Sequence, residues 1–197
     1  MAYSDLTLSK FKNSFDIYIE EEADLFSNIE PLKPSDKLKG DLKETAELAL
    51  TINTKKARSE MIILPILLEI RRRSNYKIGL FSGTNFDVDV EKDLNGYCDF
   101  IISRSKEQLL INAPVVIIVE AQNENIKNGL GHCAGGMLAA QIFNQQQNTD
   151  ISTIYGAVTT GDIWKFLKLK GSNLLIDLNN YYIQELENIL GILYQGL

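Results

Sequence analysis

The sequence predicts an α/β fold: a mixed central sheet with helices on both faces and an added N-terminal helical segment. Three observations carry that prediction. The stretch VVIIVEAQ, Val115–Gln122, sets apolar residues on both faces of an extended strand, which a sheet covered on both sides can bury. The segments KKARSEMIILPILLEIRRR and LGHCAGGMLAAQIFNQQ read as helices rather than alternating strands. The resulting order of helix, a run of strands, helix and strand builds layered α/β architecture.

Taken in chain order, SKFKNSFDIYIEEEADLF has apolar residues near helical spacing, and the first 44 or so residues read as helical and irregular. EPLKPSDKLKG interrupts that pattern with two prolines and a glycine. A short helix is expected from about Asp41 to Asn53. A longer one runs from about Lys56 to Arg73, with Glu60, Ile63, Leu64, Leu67 and Arg71 on one face and a kink at Pro65. KIGLFSG, NFDVDVE and GYCDFIIS read as strands, the last two flanking the turn-prone Lys92–Gly96, and VVIIVEAQ follows them. In the next helix Gly131, Gly135, Gly136, Ala139 and Ala140 supply a small face for close packing. STIYGAVTTG is another buried strand, and WKFLKLKG and NLLIDLNN form a hairpin turning at Gly171-Ser172. YYIQELENILGILYQ closes the chain as an amphipathic helix.

Candidate chemistry gathers where strands end. Alternation puts Glu120 and Gln122 on the face of Val116 and Ile118, at the end of a central strand, where open α/β sheets form ligand sites. GYCDFIIS sets Asp99 inside an apolar run, on one face with Ile101 and Ser103. Two carboxylates on neighbouring buried strands repel unless a positive charge lies between them. A divalent cation is the economical answer, because Mg²⁺ needs only one or two protein carboxylates. Glu60 is a third acid, either a metal or water ligand or a first-turn acid favoured by the helix dipole. Asp87 and Asp89 could replace Asp99, or form the wet side of a hairpin alternating with Phe86, Val88 and Val90.

Glu60 in RSEMIILPILLEI, Asp99 in GYCDFIIS, the Glu120-Ala121-Gln122 strand end and the following helix GLGHCAGGMLAAQ together resemble the PD-(D/E)XK nuclease superfamily, the restriction endonuclease-like fold. The resemblance spans roughly residues 41 to 160, and the tail to Leu197 is similar to strand-and-helix additions of bacterial members. It divides the chain into an N-terminal helical extension, 1–40, and a nuclease-like domain, 41–197. It implies an endonuclease that hydrolyses DNA phosphodiester bonds with Mg²⁺ or Mn²⁺. Asp99 and Glu120 would hold the metal, with the Ala121 carbonyl as a further ligand and Glu60 binding through water or completing a second site. Glu60, Asp99, Glu120 and Gln122 would form the catalytic set. The departure is Gln122, where the superfamily usually has lysine. An amide can orient water and donate hydrogen bonds, but it carries no charge to set against a developing anion. Lys127 and Arg58 are the nearest candidates for a displaced cation. The alternative function is a catalytically inactive nuclease fold that binds nucleic acid or protein.

Composition limits the remaining classes. The chain of 197 residues has a net charge of −6, so no global field steers it toward nucleic acid. Its concentrations of positive charge are Arg71-Arg72-Arg73 and Lys165, Lys168 and Lys170. No apolar run approaches the ~18 residues of a membrane span and no signal pattern opens the chain, so the expectation is a cytoplasmic protein without membrane contact. Cys98 and Cys133 form no CxxC and read as reduced thiols. His132 is the only histidine, which excludes multi-histidine zinc sites, and a Cys133–His132 pair would point about 100° apart on a helix. GLGHCAGG lacks the spacing and tight turn of a dinucleotide fingerprint, so no nucleotide cofactor is expected. DNA is the expected partner. A homodimer is compatible with the resemblance, since many enzymes of that fold work as dimers.

Overall fold

Apolar side chains sort onto the two faces of one sheet and make two cores. The computed structural model describes residues 3–22 and 24–197. Along the chain come α1 (Leu8–Ser14), β1 (Tyr18–Glu22), α2 (Asp36–Ile52), α3 (Lys55–Arg58), α4 (Leu64–Arg73), β2 (Gly79–Asn85), β3 (Tyr97–Ser103), β4 (Val115–Ala121), α5 (Ile126–Gln146), β5 (Ile154–Thr159), β6 (Ile163–Lys170), β7 (Asn173–Asp177), β8 (Tyr181–Tyr182) and α6 (Leu186–Gln195). The sheet order is β1-β7-β6-β5-β4-β3-β2, with β8 beside β6. Strands β2, β3 and β4 form an antiparallel meander. Strand β5 lies parallel to β4, a pairing that needs a crossover, and α5 provides it. Helices α1 and α5 cover one face, and α2, α4 and α6 the other. Among the described residues no helix is long and apolar enough to cross a membrane.

The helix before the meander is shaped by a single proline. Thr54 caps α3 by accepting the Ala57 N–H. A π-helical turn, Ser59–Ile63, then leads into α4, so the break precedes Pro65 rather than centring on it. Pro65 has no N–H, which leaves the carbonyl of Met61 without its helical donor. The Thr45 hydroxyl on α2 fills that role at 2.6 Å. The wide turn alters the facing of what precedes it. Ile63 and Leu67 are buried as the helical spacing predicts, but the Glu60 side chain is 58% exposed. Farther along α4, buried Glu69 accepts hydrogen bonds from the Ser35 N–H and hydroxyl and from Arg72 and Arg73. Two arginines of the basic run therefore tie the helix to the chain entering α2.

Two segments depart from the sequence pattern. SKFKNSFDIYIEEE is not one helix: α1 stops at Ser14, and Tyr18–Glu22 joins β7 in parallel. Ile17 and Ile19 pack on the core and alternate with exposed neighbours, and that period decides the outcome. NFDVDVE is not a strand either. Asp87 accepts the Gly96 N–H and the Asn85 amide, while Asp89 caps the short 3₁₀ turn Val90–Lys92. These carboxylates satisfy local donors and compete with a sheet ladder, so neither stands in for Asp99.

Strand β4 is buried throughout. At its start the Asn144 amide of α5 closes both hydrogen bonds of the Val115 backbone, at 2.7 and 2.8 Å. The pairing with β3 then jumps from Ser103↔Val115 to Ile102↔Ile117, leaving Val116 as an extra residue. Val116 consequently turns with Ile117 toward α4 and α6, not with Ile118 toward α5 as strict alternation would place it.

Candidate functional site

Asp99 lies where β3 parts from β4 and where one pair of its ladder with β2 is interrupted. The β2–β3 register passes from Ser82↔Phe100 to Thr84↔Cys98, omitting Gly83 and Asp99, and Gly83 takes the left-handed backbone that glycine tolerates (φ +59°). On the other side the last β3–β4 pair is Phe100↔Val119. The Asp99 carboxylate then replaces the ladder, its Oδ2 accepting the Ala121 N–H at 2.8 Å. That bond holds the acid against the end of β4.

Glu120 is only 1% exposed at that end. A buried carboxylate needs charged or multiple donors, and Glu120 has three, all on Oε1. Lys55 Nζ, His132 Nδ1 and Gln122 Nε2 each lie 3.2 Å away. Lys55 also reaches Asp99 Oδ2 at 2.7 Å, so one ammonium bridges the two acids. His132 donates through Nε2 to the Tyr97 carbonyl at 3.0 Å and stacks on Tyr3. A carbonyl only accepts, so Nε2 carries hydrogen and one further proton must sit between Nδ1 and Glu120.

The electrostatics follow from this arrangement. Burial raises the Glu120 carboxyl above its ordinary range, against the opposing pull of His132 and Lys55. Burial disfavours charge on the His132 ring, yet the hydrogen bond and charge of Glu120 win and raise its pKa. Lys55 is raised in the same way: desolvation works against it, and Glu120 and Asp99 outweigh that. With all four groups ionised, two positive charges offset two negative ones. Cys98 and Cys133 are free and buried, and burial first, then the nearby acids, push both thiols up, away from nucleophilic use.

A cleft of about 350 Å³ opens beside Asp99 and is lined by Lys55, Lys56, Ser59, Glu60 and Ser82. The expected site residues divide accordingly. Asp99, Glu120, Gln122 and the Ala121 backbone come together, while Glu60 stands at the cleft wall with Lys56 at 3.8 Å. Gln122 turns its amide onto Glu120 and so positions that carboxylate. Neither expected cation is beside the acids. Arg58 is engaged by the Thr160 carbonyl, Asp162 and Asn53, and Lys127 is exposed on the first turn of α5. The cation is Lys55. Its signal in the sequence is a misfit: lysine directly after the capping Thr54 opposes the helix dipole. His132 is the other partner that strand patterning does not disclose.

The donors suit a hard divalent ion, being oxygens already arranged round a cation. Among the described residues no three His, Cys, Asp or Glu side chains gather into a ready-made cage, but Mg²⁺ ordinarily completes its shell with water and substrate oxygens.

The chain matches no protein-family model, no curated protein and no solved structure. Its function is read from the site.

Proposed function

We propose that this protein is a divalent-metal-dependent nuclease that hydrolyses DNA phosphodiester bonds, on a restriction endonuclease-like fold. The observation that carries the reading is the convergence of Asp99 and Glu120 on a single cation, Lys55 Nζ, at 2.7 and 3.2 Å beside an open cleft. The order of elements supports it. An acid-bearing helix precedes an antiparallel meander with acids on its second and third strands, and a helix then leads to a strand parallel to the third.

Asp99 and Glu120 would hold Mg²⁺ or Mn²⁺, and Glu60 would act through water. When bound, such an ion lowers the pKa of its water and offsets charge on the scissile phosphate. The chain's own groups do the rest. Lys55 supplies the ammonium that Gln122 lacks, Gln122 and His132 fix Glu120, and Ser59, Ser82 and Lys56 offer donors to a phosphodiester in the cleft.

The test is nicking of supercoiled DNA with Mg²⁺ or Mn²⁺, beside Asp99→Asn and Glu120→Gln, which keep the size of each side chain and one acceptor oxygen while removing the charge. Each substitution is expected to slow cleavage by about a hundredfold or more. The second reading, an inactive binding module, draws on the fact that Lys55 and His132 already balance both acids. Retention of DNA by folded protein that never nicks it would favour that reading.

A further inference from the structure

We propose that Lys55 and the divalent ion compete for one place, so that metal uptake displaces the Lys55 ammonium from between Asp99 and Glu120 into the cleft. This deepens the metal reading above and rests on it. An ammonium 2.7 Å from Asp99 Oδ2 and 3.2 Å from Glu120 Oε1 already fills the space between the two acids that would hold the ion, and a second cation there would be strongly repelled. Lys55 is able to leave. Its side chain is 45% exposed, it sits on the first turn of α3, and the same residue lines the adjoining cleft. His132 and Gln122 cannot take over its role at Asp99, because both donate to Glu120 Oε1. The lysine therefore has two stations. In the metal-free protein it bridges half-buried Asp99 and buried Glu120 and offsets part of their charge. In the loaded protein it stands in the cleft beside Lys56 and Ser59, free for a phosphate.

The apparent metal affinity of such a site is reduced by the fraction of time that lysine fills it. Calorimetric titration of the intact chain with Mn²⁺, beside Lys55→Met and Lys55→Arg, tests this without any substrate. Lys55→Met should bind Mn²⁺ about tenfold tighter or more. It should also melt lower than the unaltered chain without metal and gain more from Mn²⁺. Lys55→Arg keeps a charged fork on the two carboxylates and should bind Mn²⁺ no more tightly than the unaltered chain, and this variant decides the matter if Lys55→Met does not fold. Equal affinity of Lys55→Met and the unaltered chain, or tighter binding by Lys55→Arg, overturns the competition and leaves the metal reading standing. Absence of Mn²⁺ uptake by all three folded proteins overturns both.

Discussion

His132 faces a carbonyl through one nitrogen and a buried carboxylate through the other, and its proton is held more tightly in the folded protein than in the unfolded chain. A raised folded-state pKa fixes the sign. Below the ordinary value of 6.5 both states are protonated and the stabilisation is fully present; it is lost as pH rises through the raised value. Glu120 is shifted the same way by burial and acts in the same direction from its ordinary value of 4.5 upward. His132→Gln should therefore melt below the unaltered chain by an amount that shrinks as pH rises. A charge-assisted buried hydrogen bond contributes on the order of 2 kcal/mol, or about 4–8 °C in a chain of this size. Melting curves between about pH 6 and about pH 9 would show the gap closing, and a constant gap would deny the shared proton. Little of this was legible beforehand. Asp99 and Glu120 stand out because charge inside an apolar run is conspicuous, whereas the cation that bridges them lies far away in sequence, Lys55 being 65 positions from Glu120.

At the scale of elements, two glycines inside helices give opposite expectations. Gly131 on α5 lies against the N-terminal segment so closely that an added Cβ would collide with the Leu6 carbonyl oxygen. Backbone cannot swing aside as a side-chain tip can, so Gly131→Ala should cost about 1–3 kcal/mol and loosen residues 3–14 to limited proteolysis. Gly40 on α2 has nothing within 4 Å of the same position. Gly40→Ala should add about 0.5–1 kcal/mol of helix stability and raise the melting temperature by about 1–4 °C. Thermal melts of the two variants that reversed this order would refute the packing. Small residues on α5 and continuous apolar residues in β4 announced themselves through pattern alone. The strand at Tyr18–Glu22 and the loop at Asp87 did not, because the short alternation of the first needs its pairing with distant β7 to become a strand and side-chain capping decides the other.

For the whole molecule, the order of helices and strands from α2 onward, NFDVDVE apart, was readable because each follows from its own periodicity. The sheet's continuation through β6, β7 and β1 depends on pairing between segments far apart in the chain. Charge is also a property of the whole. A net charge of −6 repels a polyanion, and the most exposed ammonium lining the cleft is that of Lys56, 83% exposed and 3.8 Å from Glu60. DNA held only there would release few counterions, those of about two or three phosphates. Its affinity, followed by fluorescence anisotropy, should fall only about 10- to 40-fold between about 50 and about 200 mM salt. A loss of about a thousandfold would instead require a broad basic surface.

The extra residue at Val116 has one more consequence. Strand β4 is pinned at its start by Asn144 and at its end by the partners of Glu120, and the count of residues between those pins does not suit an unbroken pleat. Val116 takes up the mismatch, acting as a spacer that sets the phase of the acid. Lengthening or shortening β4 by one residue would leave its composition almost untouched and point the carboxylate at the wrong layer, so in this strand spelling is negotiable and length is not.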